Sequence, residues 1–364
     1  MKILIVKPVM TEPRFHFDRT IELSKYMEVM WICGWMLKPI NTFESYVKPN
    51  HQVLSIGKGS AGKKIKGLWQ EIVYVTKVIG MLRKQDFDLV LVFSHRFAFI
   101  YPFFLPKAKL VLVPYTTTVC KNGIKRRFWD VWNWLVSRPY RIVLVGTEKM
   151  IDMMRLTQKK CYVVRWGMNP LSSEMKHFAK IDLLYIGTLS NRRIHETITG
   201  LKQFLNSNPG AVESYSIIGS GSEKEVQMLR DAIDQSELDD LVTYYGYLHD
   251  NDIRSFFDRC NVGVAYVPIT EYYNDVIVTK AVEYLISGMA VIATETNENR
   301  KMLKSEVGVL VQDSPESFAE GLASLYYKRE SFQSEHIKNL SKEWTLEYNA
   351  REVLVPTLIE IAGK

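Results

Sequence analysis

The sequence predicts an α/β protein with two doubly wound, Rossmann-like parallel sheets. Runs such as LVLVF, LVLVP and IVLV are apolar at nearly every position, as expected of strands that are buried on both faces. These runs alternate with segments of helical periodicity along the whole chain, which is the pattern of βαβ units. The length of 364 residues is about twice that of a typical domain and favours two of them.

Six strands are expected in each half of the chain. Those of the first half are Lys2–Lys7, Glu28–Cys33, Asp88–Phe93, Lys109–Pro114, Arg141–Val145 and Cys161–Arg165. Those of the second half are Ile181–Ile186, Ser214–Ile218, Leu241–Tyr245, Asn261–Tyr266, Met289–Ala293 and Val307–Val311. The polar segment Gly167–Lys180 lies between the two sets and contains Pro and Gly. We therefore expect domains over residues 1–167 and 168–340.

Charge is divided unevenly between the halves. Residues 1–166 hold 28 Lys and Arg against 11 Asp and Glu, a net charge of +17. The remaining 198 residues hold 19 against 29, a net charge of −10, so that the whole chain carries only +7. The first half is therefore expected to meet an anionic partner.

Several classes of protein are disfavoured. Cys33, Cys120, Cys161 and Cys260 have no CxxC spacing, which argues against a zinc site and a disulfide scaffold. The opening MKILIVKPVM is too short for the apolar core of a signal peptide, and the longest apolar stretch, Phe97–Pro106, is half of what a bilayer requires. We expect a cytoplasmic protein that rests peripherally on the inner face of the cell membrane.

The segment Tyr272–Glu295 carries the strongest functional pattern. A helix that begins near Val276, Ile277 and Thr279 would offer free amides and a positive dipole end to a phosphate. Lys280 would add a charge in the first turn, and Glu283, one turn later, is suited to ribose hydroxyls. Asp275 stands at the helix entrance, where a carboxylate would hold sugar hydroxyls. The alternative is that Asp275 caps the helix and Glu283 is a surface residue.

Two further turns follow expected strands. Arg192 and Arg193 come shortly after Gly187, and paired guanidinium groups suit a pyrophosphate, although solvated surface arginines are the alternative. Gly219 and Gly221 precede Ser222 and Glu225, which form a capping box at a helix start. A single GxG is a weak signal on its own. All these turns are expected at the carboxyl edge of one sheet, where ligands bind in such folds.

Together these segments resemble the GT-B glycosyltransferases, specifically the large retaining family 4 (glycosyl transferases group 1). The segments that carry the resemblance are Gly187–Arg193, the pair Gly219 and Gly221, Val242–Leu248, Asn261–Pro268 and, most specifically, Lys280–Thr294. The resemblance implies two Rossmann-like domains that face each other across a cleft. It also implies that a C-terminal helix over residues 341–364 returns to the N-terminal domain, which would bind the acceptor.

The resemblance also implies roles for individual residues. Arg193, with Arg192, would bind the donor diphosphate. Lys280 and the backbone amides near Val276, Ile277 and Thr279 would bind the same group. The glycines that would line the donor site are Gly187, Gly219 and Gly221. Glu283 would bind the ribose, Tyr247 and Leu248 would flank the nucleobase, and Asp275 would touch the sugar. Arg193, Lys280 and Asp275 are the catalytic candidates.

No cofactor or metal is implied. The D-x-D pairs Asp86–Asp88 and Asp250–Asp252 are poor metal candidates, because Asp86–Asp88 precedes a strand and Asp250–Asp252 opens a helix.

The chain departs from the family at several positions. The family usually has Glu where this chain has Asp275, and often Arg where it has Thr188. The histidine that the family carries near the fourth strand is replaced by the segment PYTTTVC. His16 and His95 follow expected strands of the first sheet and are the acceptor-side candidates.

The predicted activity is transfer of a sugar, with retention, from a nucleotide diphosphate donor to a lipid-linked glycan or a surface-polysaccharide precursor.

The basic stretches Lys58–Lys84 and Lys121–Arg141 interleave cationic and large apolar residues, which suits an anionic membrane surface. A helix packed on its own sheet is the equal alternative. Nucleic acid is disfavoured as a partner, because no binding module is present. The rival functions are a non-catalytic GT-B partner subunit that binds glycan or protein, and a sugar-nucleotide epimerase.

Overall fold

The computed structural model describes residues 1–10, 13–36, 47–55, 64–105, 110–114, 123–165 and 167–363. The chain forms two compact units, one of Met1–Gly167 with Leu346–Lys364, and the other of Met168–Thr345. Each unit contains one parallel sheet, so the predicted α/β class with two Rossmann-like sheets is confirmed.

The sheet of the first unit has seven strands in the order β3-β2-β1-β4-β5-β6-β7, and every pairing is parallel. The strands are β1 (Lys2–Met10), β2 (Glu28–Met36), β3 (His51–Ser55), β4 (Leu89–Phe93), β5 (Leu110–Val113), β6 (Ile142–Val145) and β7 (Lys160–Val163). The helices are α1 (Pro13–Leu23), α2 (Lys64–Leu82), α3 (Tyr101–Phe104) after a 3-10 turn (Ala98–Ile100), α4 (Gly123–Ser137) and α5 (Lys149–Met153). All six predicted strands are present, and β3 is an additional one.

Both faces of this sheet are covered, which explains its unbroken apolar strands. All five residues of β4 are buried, and their side chains alternate between two hydrophobic clusters. One cluster includes residues of α2 and α5, and the other includes Leu354, Leu358 and Ile361 from the C-terminal segment. That segment comprises α14 (Leu346–Tyr348), a π-helical stretch (Asn349–Leu354) and α15 (Val355–Ala362).

The sheet of the second unit has six parallel strands in the order β10-β9-β8-β11-β12-β13. The strands are β8 (Ile181–Ile186), β9 (Val212–Ile218), β10 (Val242–Tyr244), β11 (Val262–Ala265), β12 (Ala290–Thr294) and β13 (Gly308–Val311). The helices are α6 (His195–Ser207), α7 (Glu223–Ser236), α8 (Asp250–Arg259), α9 (Glu271–Asn274), α10 (Thr279–Ile286), α11 (Asn297–Met302), α12 (Pro315–Tyr327) and α13 (Ser334–Leu340), with 3-10 turns at Arg329–Ser331 and Lys342–Trp344. The order reverses between β8 and β11, so ligands are expected near the carboxyl ends of these strands.

The boundary near the C-terminus differs from the expected one by a few residues. Trp344 is buried, and its carbonyl oxygen accepts a hydrogen bond of 2.8 Å from the amide of Met168. Because this bond holds residues up to Thr345 on the second unit, the part that joins the first unit begins at Leu346 instead of residue 341.

The expected linker is also packed on the second unit. Lys176 is buried and donates to the carbonyl oxygens of Phe257 and Asp258. Asn261 donates to the carbonyl oxygens of His177 and Lys180, each at 2.7 Å. In the part of the chain that the structure describes, no helix combines the length and apolar character needed to cross a membrane.

Candidate functional site

The turns after β8, β9 and β10 are in direct backbone contact. Gly219 has a φ of +152°, and a Cβ at this position would lie 1.7 Å from the carbonyl oxygen of Gly187. The Gly219 amide donates to the carbonyl oxygen of Gly246 at 2.7 Å, and the Tyr244 hydroxyl donates to that of Gly219 at 3.0 Å. The turns therefore close together only because residue 219 has no side chain.

Gly221 extends the same contact. A Cβ on residue 221 would lie 2.8 Å from the Cβ of Leu189, whose amide donates to the carbonyl oxygen of Ser220 at 2.8 Å. Thr188, which stands where the resembling family often has Arg, donates its hydroxyl to the same oxygen at 3.2 Å. The residues that the sequence singled out as a weak GxG thus shape the loop after β8.

Glu225 fixes this loop, a role that the sequence did not suggest beyond the capping box. The predicted box is present, with hydrogen bonds between Ser222 and Glu225 in both directions. The Glu225 carboxylate also accepts from the amide of Asn191 at 2.7 Å and from the hydroxyl of Ser190 at 3.0 Å. The Asn191 amide and the Ser222 amide and hydroxyl hold the pKa of Glu225 at about 2, below its usual 4.5. This ionised carboxylate joins the loop after β8 to the start of α7.

Arg193 is engaged by two carboxylates. Its Nε donates to Oε1 of Glu196 at 2.7 Å, and its Nη1 lies 3.2 Å from Oδ2 of Asp313. Glu196 also accepts from the hydroxyl of Tyr266 at 2.7 Å, and Asp313 from the amide of Ile269 at 3.0 Å. Arg193 has a φ of +55°. This network holds a strained backbone position in place.

Arg192 has a different environment. Its guanidinium carbon lies 4.3 Å from the centre of the Tyr273 ring, a cation–π contact. Its Nη1 is buried, and no hydrogen-bond partner for it occurs among the residues described. Arg193 is exposed although ion-paired, so the alternative of solvated surface arginines is contradicted only for the partly buried Arg192.

The start of α10 has no side-chain cap. Its N-cap, Val278, makes no side-chain capping hydrogen bond. Nζ of Lys280 lies 2.6 Å from Oε2 of Glu283, and the two side chains are 32% and 20% exposed. Glu283 is therefore half-buried and paired, so the alternative of a free surface residue is wrong. The hydroxyl of Tyr284 accepts from the amide of Ile186 at 2.9 Å, which ties α10 to the end of β8.

Asp275 does not cap α10. It is the C-cap residue of α9, and its Oδ1 accepts a hydrogen bond of 2.9 Å from the side-chain amide of Asn297. Asn297 in turn donates its backbone amide to Oδ1 of Asn274 at 3.0 Å. The Asp275 carboxylate is thus oriented by Asn297, at the N-terminus of α11. In the sequence, Asp275 comes two residues after Tyr273, the residue on whose ring Arg192 stacks. Val276 and Ile277, between Asp275 and the helix, are half-buried, and Thr279 is exposed.

Tyr247 and Leu248 lie in the turn after β10. Tyr247 is 68% exposed, and its ring meets the edge of His249 with 5.4 Å between centroids. Leu248 is partly buried and packs against the core. An exposed ring beside an apolar residue is suited to stack on a planar base.

The two acceptor-side histidines differ in what the structure describes. His16 is in α1, and its side chain lies outside the described residues, as does the segment 115–122 that contains most of PYTTTVC. His95 follows β4, where its ring meets Tyr74 and Tyr101 with centroid distances of 6.3 and 5.7 Å. Burial lowers the pKa of His95 to about 3 from 6.5, so the ring is neutral at physiological pH. Its Nε2 is buried and unpartnered among the described atoms.

Helix α4, which lies in the basic stretch Lys121–Arg141, presents several large apolar side chains to solvent. The exposed fractions of Phe128, Val131 and Leu135 are 62%, 51% and 45%. Among the described residues of the helix, Trp132 and Val136 pack against the core of the first unit. An open cavity of about 450 Å³ adjoins the helix and is lined by Phe99, Pro102, Phe103, Leu135, Arg138 and Pro139. The alternative of a helix packed on its own sheet therefore holds for Trp132 and Val136, but the three exposed side chains take no part in that packing.

The two sheets and their strand orders define the class of the chain, and comparisons with known proteins agree. Residues 180–328 match the family of Glycosyl transferases group 1. HepE of Anabaena in complex with UDP and glucose has a TM-score of 0.69 at 14% identity, covering 98% of this chain and 99% of that one. The predicted GT-B fold and the likeness to the group 1 glycosyltransferases are confirmed.

Two further solved structures have the same fold. Sucrose-phosphate synthase from Thermosynechococcus elongatus has a TM-score of 0.71 at 14% identity over 100% of both chains. A glycosyltransferase from Rickettsia africae has a TM-score of 0.71 at 12% identity, covering 99% of this chain and 98% of that one. A comparison with curated proteins gives no match.

Proposed function

We propose that this protein is a retaining glycosyltransferase that uses a nucleotide diphosphate sugar as its donor. The supporting observation is the convergence, within the second unit, of the Gly187–Gly219 contact, Arg192 and the uncapped start of α10. Glycine turns let a phosphate approach the backbone, and free amides with a cation stabilise its charge. The match to Glycosyl transferases group 1 covers this same region.

The proposed roles follow from the position of each group. Lys280 and the first amides of α10 bind the diphosphate, and Glu283 accepts hydrogen bonds from the ribose. Tyr247 and Leu248 flank the base, and Asp275 holds the transferred sugar. Charge that develops on the leaving diphosphate is stabilised by cations and helix amides, without a metal, while the acceptor hydroxyl attacks from the same face. HepE was solved with UDP and glucose, and this supports UDP as the first donor nucleotide to test.

The acceptor is proposed to be a lipid-linked glycan or a surface-polysaccharide precursor bound by the first unit. The exposed apolar side chains of α4 stand beside exposed Arg127 and Arg138. Such a face is suited to an interface with anionic lipid, with the cations on headgroups and the apolar side chains below them. We propose that this face holds the protein on the cytoplasmic surface of the membrane.

Donor binding and donor hydrolysis test the proposal. Titration calorimetry with UDP is expected to show binding that Glu283→Ala and Lys280→Ala weaken about tenfold or more. Lys301→Ala is the matched control, because Lys301 makes the same i,i+3 pair with Glu298 at 2.6 Å in α11. Absence of binding and of turnover with UDP-, GDP-, ADP- and dTDP-sugars would refute the enzyme assignment.

A non-catalytic partner subunit is the second candidate. It is favoured by the short carboxylate of Asp275, which is engaged by Asn297 in this structure. This candidate predicts nucleotide binding with no release of nucleotide from any sugar donor. An epimerase would instead release an altered sugar nucleotide without any acceptor.

A further inference from the structure

The adjacent arginines of the loop after β8 differ in net electrostatic environment. Arg193 lies within 3.2 Å of Asp313 and contacts Glu196, so one positive charge is shared between two carboxylates. The three side chains together carry a net charge of −1 when all are ionised. A diphosphate that approached Arg193 would meet both carboxylates and would have to displace them.

Lys280 is also balanced by an acidic partner. Its Nζ lies 2.6 Å from Oε2 of Glu283, and the resulting ion pair carries no net charge. Arg193 and Lys280, two of the three cations that the family resemblance places on the diphosphate, thus bring no net positive charge with their nearest partners.

The positive charge of Arg192 is not balanced by a carboxylate of the described residues. None of the described residues forms an ion pair with it, and its flat face rests on Tyr273 at 4.3 Å. Its Nη1 is buried and unpartnered, so it is a desolvated donor without an acceptor. Its charge also acts on the buried Tyr185, whose hydroxyl lies 3.2 Å from the Cβ position of Gly187. Arg192 therefore lies beside the glycine turn.

We infer that Arg192, oriented by the ring of Tyr273, is the arginine of this loop that binds the donor diphosphate, and that Arg193 is a positioning residue that shapes the loop. This assignment rests on the proposed donor site, and it departs from the resemblance, which places Arg193 on the diphosphate together with Arg192. A bound diphosphate oxygen would supply the acceptor that Nη1 of Arg192 lacks. Tyr273 restricts the guanidinium in advance and so lowers the entropy cost of binding.

Titration with UDP and with UMP separates the two roles, because only UDP carries the second phosphate. Arg192→Gln is expected to weaken UDP binding about tenfold or more while UMP binding changes by no more than about threefold. Arg193→Gln is expected to weaken both ligands by the same factor and to lower the melting temperature of the unliganded protein. Arg300→Gln is the matched control, because Arg300 is an exposed arginine of the same unit that pairs with Glu295 at 3.1 Å.

Two variants test the contribution of the ring. Tyr273→Phe is expected to keep the UDP affinity, since the stacking surface remains, and Tyr273→Leu to lower it several-fold. A loss specific to UDP in Arg193→Gln, with none in Arg192→Gln, would overturn the assignment. If wild-type protein bound none of UDP, UMP, GDP, ADP and dTDP, both the proposed donor site and this inference would be refuted. If wild type bound UDP and the Arg192→Gln variant bound it equally well, this inference alone would be refuted.

Discussion

The carbonyl oxygen of Gly187 occupies the place that a side chain on Gly219 would need, since an added Cβ would lie 1.7 Å from that oxygen. The contact closes the ends of β8 and β9 against each other, with a hydrogen bond of 3.0 Å from the Gly187 amide to the carbonyl oxygen of Ile218. The proposed diphosphate site is built on this pair of glycines.

Gly219→Ala is expected to remove donor binding and to destabilise the second unit by several kcal/mol, because the backbone of residue 187 must move. Gly210→Ala is the control, since Gly210 also has a positive φ, +74°, but has open space at its Cβ position. That change is expected to cost about 1–2 kcal/mol and to leave UDP affinity unchanged. Thermal denaturation and calorimetry measure both effects. Equal stability of the two variants would contradict the close contact.

Glu225→Gln is expected to destabilise the protein by about 1 kcal/mol, which corresponds to a fall in Tm of about 2–4 °C. The pKa of Glu225 is about 2 in the folded protein and 4.5 is its usual value. Its stabilising contribution is therefore complete above about pH 5 and is lost as the pH falls from 4.5 towards 2. The difference in unfolding free energy between wild type and variant should shrink over this range. A difference that is independent of pH would be inconsistent with an ionised Glu225 holding the loop.

His95→Phe tests the burial of a neutral histidine. Because the pKa of His95 is about 3 in the folded protein against its usual 6.5, the unfolded chain takes up the proton first as the pH falls. Wild type should lose stability relative to His95→Phe between pH 6.5 and about 3, by at most about 1.4 kcal/mol per pH unit. Chemical denaturation at several pH values measures this slope. Parallel pH profiles for the two proteins would show that His95 is accessible to protons.

Vesicle sedimentation tests the exposed face of α4. Binding to phosphatidylglycerol vesicles is expected to fall about tenfold or more in the double variant Phe128→Ser, Val131→Ser. Tyr327→Ser is the control, because Tyr327 is 74% exposed but belongs to the other unit. Phosphatidylcholine vesicles should pellet little protein. Equal pelleting with both lipids would contradict a role for Arg127 and Arg138.

The sequence predicted twelve of the thirteen strands in the described residues, because buried parallel strands have long apolar runs. The strand β3 was missed since HQVLS is short and half polar; it lies at the sheet edge, where only His51 of its five residues is fully buried. The capping box at Ser222 was predicted because its two members are close in sequence.

The proposed division of roles between Arg192 and Arg193 was not predictable from local pattern. Asp313, which engages Arg193, lies 120 residues further along the chain, and the positive φ of Arg193 has no signature in a non-glycine residue. Tyr273 was within the segment that the sequence singled out, but its contact with Arg192 depends on the packing of α9 near the loop after β8. Sequence spacing indicated the turns of the proposed donor site, and tertiary contacts decide which of its side chains are engaged by protein partners.

Calorimetric titration of wild type and Glu283→Ala with UDP, GDP, ADP and dTDP tests most directly whether the second unit binds a nucleotide diphosphate through the turns after β8 and β9 and the start of α10. We expect saturable one-to-one binding of at least one nucleotide by wild type, weakened about tenfold or more by Glu283→Ala. Binding that Glu283→Ala leaves unchanged, or no binding of any of the four, would contradict the proposed donor site.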